Sequence, residues 1–274
     1  MSTGLAPTVG PVVAKRLPCG YAVVMSVLVL LALGAGVACW WFMREHGHET
    51  ESRFSLGGML TYVGMWSLMM AAMMLPTVHR VTALYVRAVQ QQNPAPIWMG
   101  RLAVLCVGYL SIWSVIGVPV YGIGVLVAMV IPPYSETATW FSAVLIAASG
   151  IFQFSSIKDR CLHHCQSPMA FVAKYMAMSG WSRDLRAGLV HGLNCLGCCA
   201  AMVGVLIAIG TMNLPWMILL GVVAMVEKTW RHGRQFSHAV GIGMMMYALA
   251  IIAAPDWAAP LPHGLDSLKA VCRA

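Results

Sequence analysis

The stretch whose reading decides the fold is AGLVHGLNCLGCCAAMVGVLIAIGT, residues 187–211, which holds no Asp, Glu, Lys or Arg. About 20 apolar residues wound as a helix span the hydrocarbon of a bilayer, so the stretch predicts a transmembrane helix. Wound at about 100° per residue with His191 at zero, Cys195 falls near 40°, Cys198 near −20°, Cys199 near 80° and Met202 near 20°. An imidazole, three thiols and a thioether thus share a stripe about 100° wide. These are the side chains that bind copper(I) or zinc. One Cys in an apolar helix is ordinarily a small packing residue. Three of them with a His on one face point to metal or redox chemistry.

The rest of the chain has the same character. Of its 274 residues 59% are hydrophobic and only 9% charged, with mean hydropathy +0.76, against about 25% charged in a soluble domain. Beside 187–211, further apolar runs lie at 21–43, 57–78, 102–131, 138–157, 214–227 and 236–254. The reading is an all-α, polytopic transmembrane helical bundle of about seven spans. It has an N-terminal tail at 1–20, a helical domain at 21–254 and a C-terminal tail at 255–274. The run 21–43 is too long for a signal peptide and ends in Trp40, Trp41 and Phe42, as a retained span with an aromatic belt does. Gly117 and Pro119 mark a place for a kink in 102–131, and 214–227 is short for a span.

Seven spans sort the connections into two sets. One holds thirteen Lys and Arg, in the N-terminal tail and at 79–101, 158–186 and 228–235; the other holds four, Arg44, Arg53, Lys269 and Arg273. Cytoplasmic loops carry the excess of positive charge. The expected topology is a bacterial inner membrane protein with its N-terminus in the cytoplasm and its C-terminus in the periplasm. That asymmetry accounts for the net charge of +8 without a nucleic-acid partner; the bilayer is the expected surrounding.

Under this topology further donors collect at the cytoplasmic face, level with His191. The 158–186 loop opens with Cys161, Leu162, His163, His164 and Cys165, four candidate ligands within about one helical turn. Its continuation from Pro168, MAFVAKYMAM, reads as a short interfacial helix. In 57–78, Met65, Met69 and Met73 recur every four residues, Met70 and Met74 flank them, and His79 follows beyond Pro76. Met at helical spacing is commonly packing, but a His in a span is costly and placed for a purpose. Glu227 closes the sixth run as a ligand, a partner for a His or a helix-end residue. Met244, Met245 and Met246 add thioethers. His46 and His48 on the other side read as a polar loop. About 16 Å of rise separates residues 191 and 202, so the stripe cannot surround one ion. A site shared between helices is expected, with His79 weighing as much as His191. Cys19 and Cys272 lie in the tails, and Cys39 and Cys106 in spans without partner donors.

Other chemistries find no footing. No Gly-rich loop stands between a strand and a helix, no G-x-S-x-G elbow is present, and carboxylates are too few for a proton relay. A small disulfide framework is not indicated.

At these residues the chain resembles a bacterial family of predicted metal-binding integral membrane proteins, grouped as a domain of unknown function. The likeness rests on Met65-Trp66-Ser67-Leu68-Met69-Met70-Ala71-Ala72-Met73-Met74-Leu75-Pro76, on Lys158, Cys161-Leu162 and 165–168, and on His191-Gly192-Leu193 with Cys195-Leu196-Gly197-Cys198-Cys199. It continues to Gly210, Met212-Asn213, Trp216-Met217 and Glu227-Lys228. Asn194 stands where the family has Tyr, and Gln166 where it has Arg. The resemblance implies metal binding but names neither metal nor role. The best reading is a membrane protein holding a soft metal, copper first and zinc second. Its role would be metal handling, transfer or transport, with a metal-donating or metal-accepting protein as partner, rather than an enzyme. The alternatives are a membrane thiol–disulfide oxidoreductase using Cys195, Cys198 and Cys199, and a structural subunit whose metal only fixes the fold.

Overall fold

The structure is a computed structural model. It describes residues 56–254 except 91–92, 133–134, 179–181 and 212, together with isolated helical positions between 26 and 41. The tails at 1–20 and 255–274, the loop with His46 and His48, Cys19, Cys39 and Cys272 lie outside the described residues, as does most of 21–43.

The described chain is helical throughout. Its elements are α1 (Leu56–Met74), a 3-10 turn (Pro76–Val78), α2 (His79–Gln90), α3 (Ala95–Val130), α4 (Glu136–Phe152), α5 (Ser156–Gln166), α6 (Pro168–Ala177), α7 (Arg183–Ile209), α8 (Leu214–Thr229) and α9 (Gly233–Ala253). Local chemistry sets several ends. Ser135, Ser155 and Asn213 cap α4, α5 and α8 by accepting from the backbone N–H three residues on. Gly210, at φ 108°, ends α7 in a conformation that a side chain disfavours. Pro76 removes a backbone donor where α1 gives way to the 3-10 turn. Pro119, by contrast, sits inside an unbroken α3.

Four segments are long and apolar enough to cross a membrane: Leu56–Gln90, Ile97–Val130, Arg183–Ile209 and Gly233–Ala253. The pair α4–α5, bent by 62°, makes a fifth candidate. Seven spans are therefore not confirmed. The shortfall among the described residues lies at two places. The run 138–157 breaks where Gln153 leads into a polar helix, and α8 has 16 residues, about 24 Å against a hydrocarbon core of about 30 Å. The expected 158–186 loop holds the helix expected from Pro168, α6, and before it a further helix, α5. Two of the thirteen charges in the topology count, Lys158 and Lys228, are buried at 0% and 4% exposure rather than lying in solvated loops.

The core forms around α7. Gly188 and Gly192 form a small-xxx-small face that lets α3 approach closely. A Cβ at Gly192 would meet Tyr109 O and Ile112 Cγ1 at 3.0 Å, and one at Gly188 would strike Leu105 O. Gly108 answers from α3, where a Cβ would lie 2.6 Å from Leu185 O. On other faces Gly197 admits α5 and Gly204 admits Ser149 of α4. At the start of α7, buried Asp184 accepts from Tyr85 (2.7 Å), Tyr175 (2.8 Å) and Arg101 Nε (2.9 Å), tying α2, α3 and α6 to it. Outer faces carry exposed Val107, Val115, Leu126, Ile218, Val222 and Leu249.

Candidate metal centre

Cys195, Cys198 and Cys199 are each at most 1% exposed, and their three Sγ atoms lie within 4.8 Å of one another. Cys198 Sγ stands 3.6 Å from Cys199 Sγ and donates to Cys195 O at 3.1 Å. A fourth thiol comes from α5: Cys165 Sγ is 3.8 Å from Cys198 Sγ. Two thiolates bound to one ion at about 2.3 Å stand about 4 Å apart in a trigonal or tetrahedral shell. The observed spacings match that figure, so the donors are already gathered at the distances a soft ion requires.

The sequence explains why α5 reaches the cluster. Ser155 caps it, and its buried face carries Lys158, Leu162 and Cys165. Gly197 leaves room for the neighbouring Cys161, whose Sγ would be 2.5 Å from a Cβ there. Two consecutive residues of α8 fasten the arrangement. Glu227 receives Lys158 Nζ at 2.9 and 3.1 Å, with Gln153 also bonded to Lys158 and Ser237 donating to Gln153 at 3.1 Å. Gln166 donates to Glu227 O at 2.6 Å. Lys228 Nζ turns the other way, to Cys195 Sγ at 3.0 Å, Thr77 Oγ1 at 3.2 Å and Met74 Sδ at 3.7 Å. Tyr109 OH lies 3.0 Å from the same Cys195 Sγ, delivered by the close crossing of α3 and α7.

The other sequence candidates fall around this centre. His191 is buried, its ring between Tyr109 and Phe171 at centroid distances of 5.6 and 5.2 Å. His79 is buried with Nδ1 2.8 Å from Pro76 O. Among the described residues no His, Asp or Glu joins the three α7 thiols in a group of close donors. Cys161 is half-buried, and His163 and His164 are exposed. Met69, Met73 and Met202 line the core that encloses the thiols, and Glu227 is engaged by Lys158. Sequence reasoning missed Tyr109, Thr77 and Lys228 as neighbours of the site. The signal for Lys228 was present, a charged pair at the end of an apolar run; Tyr109 carries none until α3 and α7 are docked. A cavity of about 400 Å³ at the other end of the bundle, between α3, α4 and α7, is lined by residues such as Val125, Phe141 and Ile207 and offers no thiol or imidazole.

A family model described as copper chaperone, PpoB2, matches residues 63–251, which is more than half of the chain and includes every residue of this centre. The chain belongs to the copper chaperone family. No curated protein and no solved structure matches it. Family membership agrees with the expected metal-related resemblance and with copper as the first choice; nothing in it supports zinc.

Proposed function

We propose that this protein is an integral membrane carrier of Cu(I), held by the thiols of Cys195, Cys198 and Cys199 and exchanged with a metal-handling partner protein. The observation that carries the proposal is the buried thiol cluster with a lysine ammonium against it. Copper(I) is soft and prefers thiolates. A buried ion must be neutralised nearby, because uncompensated charge in an apolar interior is strongly unfavourable. With two of the three sulfurs as thiolates and the third a neutral thiol, one Cu⁺ gives a net charge of −1, and the Lys228 ammonium beside Cys195 cancels it. Copper is cargo here, so a site that holds it without excess charge suits later release.

The setting is a bacterial inner membrane, with the N-terminus in the cytoplasm and the C-terminus in the periplasm. Long apolar helices with apolar outer faces support the membrane, and the asymmetry of Lys and Arg supports the orientation. The centre then lies toward the cytoplasmic face. The test is metal content after anaerobic loading with Cu(I) in detergent. The expected result is bound copper with free thiols in the wild type, strong loss in Cys195→Ser and Cys198→Ser, and no loss in Cys106→Ser. A protein that takes up no copper but shows a reducible disulfide would instead be the thiol–disulfide oxidoreductase considered from the sequence.

A further inference from the structure

The thiols are sealed from solvent, so copper needs a route to them, and α5 supplies a graded series of donors. Placing Lys158 at zero on that helix, Cys165 falls near −20°, Cys161 near −60° and His164 near −120°, whereas His163 falls near 140°. Exposure follows the same order. His164 is exposed, Cys161 half-buried, Cys165 9% exposed and Cys198 fully buried. The last step, Cys165 to Cys198, spans 3.8 Å between sulfurs, and Cys161 packs against Gly197, the residue before Cys198. His164 and Cys161 are three apart and so are neighbours on the helix surface.

We infer that α5 is the exchange route of the site: His164 and Cys161 take Cu(I) from a carrier in solution, and Cys165 passes it to Cys198. This rests on the proposed Cu(I) site and adds its route and the form of its substrate, an anionic Cu(I) complex. Exposed Arg160 and Arg231 make the rim positive; Arg231 follows Trp230, whose carbonyl lies 3.5 Å from Gln166 Nε2 at the end of α5. Each step is a ligand exchange without electron transfer. A bond from Cu(I) to its present ligand breaks as one to the next nitrogen or sulfur forms. Copper stays monovalent, and an incoming thiol gives its proton to the group that leaves.

The probe is the Cu(I) complex of bicinchoninate, which is anionic and coloured, so transfer to the full-length protein is read anaerobically as loss of colour. Expected is uptake by His164→Ala slowed about tenfold, on the scale at which residues around metal sites act, with final copper unchanged. His163→Ala, on the other side of the helix, keeps the wild-type rate. Cys165→Ser is slowed at least as much as His164→Ala. Because His164 is exposed, its replacement does not threaten the fold. Wild-type uptake rates in His164→Ala or Cys165→Ser would overturn the route while leaving the holding site intact, and so would equal slowing in His163→Ala and His164→Ala. A wild-type protein that leaves the colour unchanged and contains no copper overturns the holding site and its route together.

Discussion

Lys158 and Lys228 are both buried at the C-terminal end of α8, the first contacting it from α5 and the second belonging to it, yet their surroundings differ. Lys158 Nζ lies between both oxygens of Glu227 and the Gln153 amide, a closed ion pair with every charge answered. Lys228 Nζ has a thiol, a hydroxyl and a thioether around it, and among the described residues no carboxylate lies within ion-pair distance. A buried ammonium of the first kind joins helices and is complete. One of the second kind needs an anion from its surroundings, and the Cys195 sulfur 3.0 Å away is the atom able to supply it. One lysine holds the frame, and the other, under the proposed Cu(I) site, balances the charge of the thiolates.

The harshest way to break the comparison is Glu227→Ala. Removing one partner of a buried pair leaves the other charge uncompensated and destabilises by about 3–5 kcal/mol. At about 2–4 °C per kcal/mol for a chain of this size, the thermal midpoint in detergent should fall by roughly 10 °C. The double variant Lys158→Met with Glu227→Leu should recover most of it. A single variant as stable as wild type would mean that the pair is not closed.

Lys228→Met should do the reverse. It removes a buried charge that has no carboxylate, so the midpoint should change little, while Cu(I) affinity drops about 10–100-fold, the range seen when groups supporting metal ligands are lost. Competition with a coloured Cu(I) chelator measures this. Undiminished affinity would remove Lys228 from the charge balance and leave the thiols alone as the basis of the site.

A smaller effect is expected from Tyr109→Phe, which deletes the hydroxyl 3.0 Å from Cys195 Sγ. One hydrogen bond contributes about 1 kcal/mol, so affinity should fall about fivefold with stability nearly unchanged. A larger loss would show that Tyr109 orders the cluster and does more than share one hydrogen bond with it.

What was legible in the sequence follows from what the contacts depend on. The stripe at 191–202 is set by helical periodicity alone, so the three α7 thiols could be read before any packing was known. Cys161 and Cys165 were legible as donors, but only a folded α5 decides which faces inward. Within the expected 158–186 loop the short helix from Pro168 was legible, whereas the polar stretch before it was not: Ser155 and the contacts of Lys158 and Cys165 make it a helix, and polar composition alone does not distinguish helix from loop. Lys228 and Tyr109 were hidden for another reason. Their roles arise from contacts 33 and 86 residues away in sequence, and no periodicity encodes those. The Gly188–Gly192 spacing was the available clue to the α3–α7 crossing.

The smallest effects should come from the two histidines that the sequence placed as equal ligands. Each holds a residue that stands beside the thiols or their lysine. His191 rests on the ring of Tyr109, whose hydroxyl meets Cys195 Sγ. His79 holds the Pro76 carbonyl through Nδ1, next to Thr77, which receives Lys228. Replacing either loosens a residue that touches the cluster without deleting a thiol. The equality expected from the sequence is therefore kept, but its size shrinks: His79→Ala and His191→Ala should each lower Cu(I) affinity about two- to threefold, a fraction of one hydrogen bond. The measurement is chelator competition on both variants at equal folded yield, beside Cys198→Ser. If either variant empties the site as Cys198→Ser does, that imidazole binds the metal directly, and the centre includes a nitrogen donor alongside its thiols.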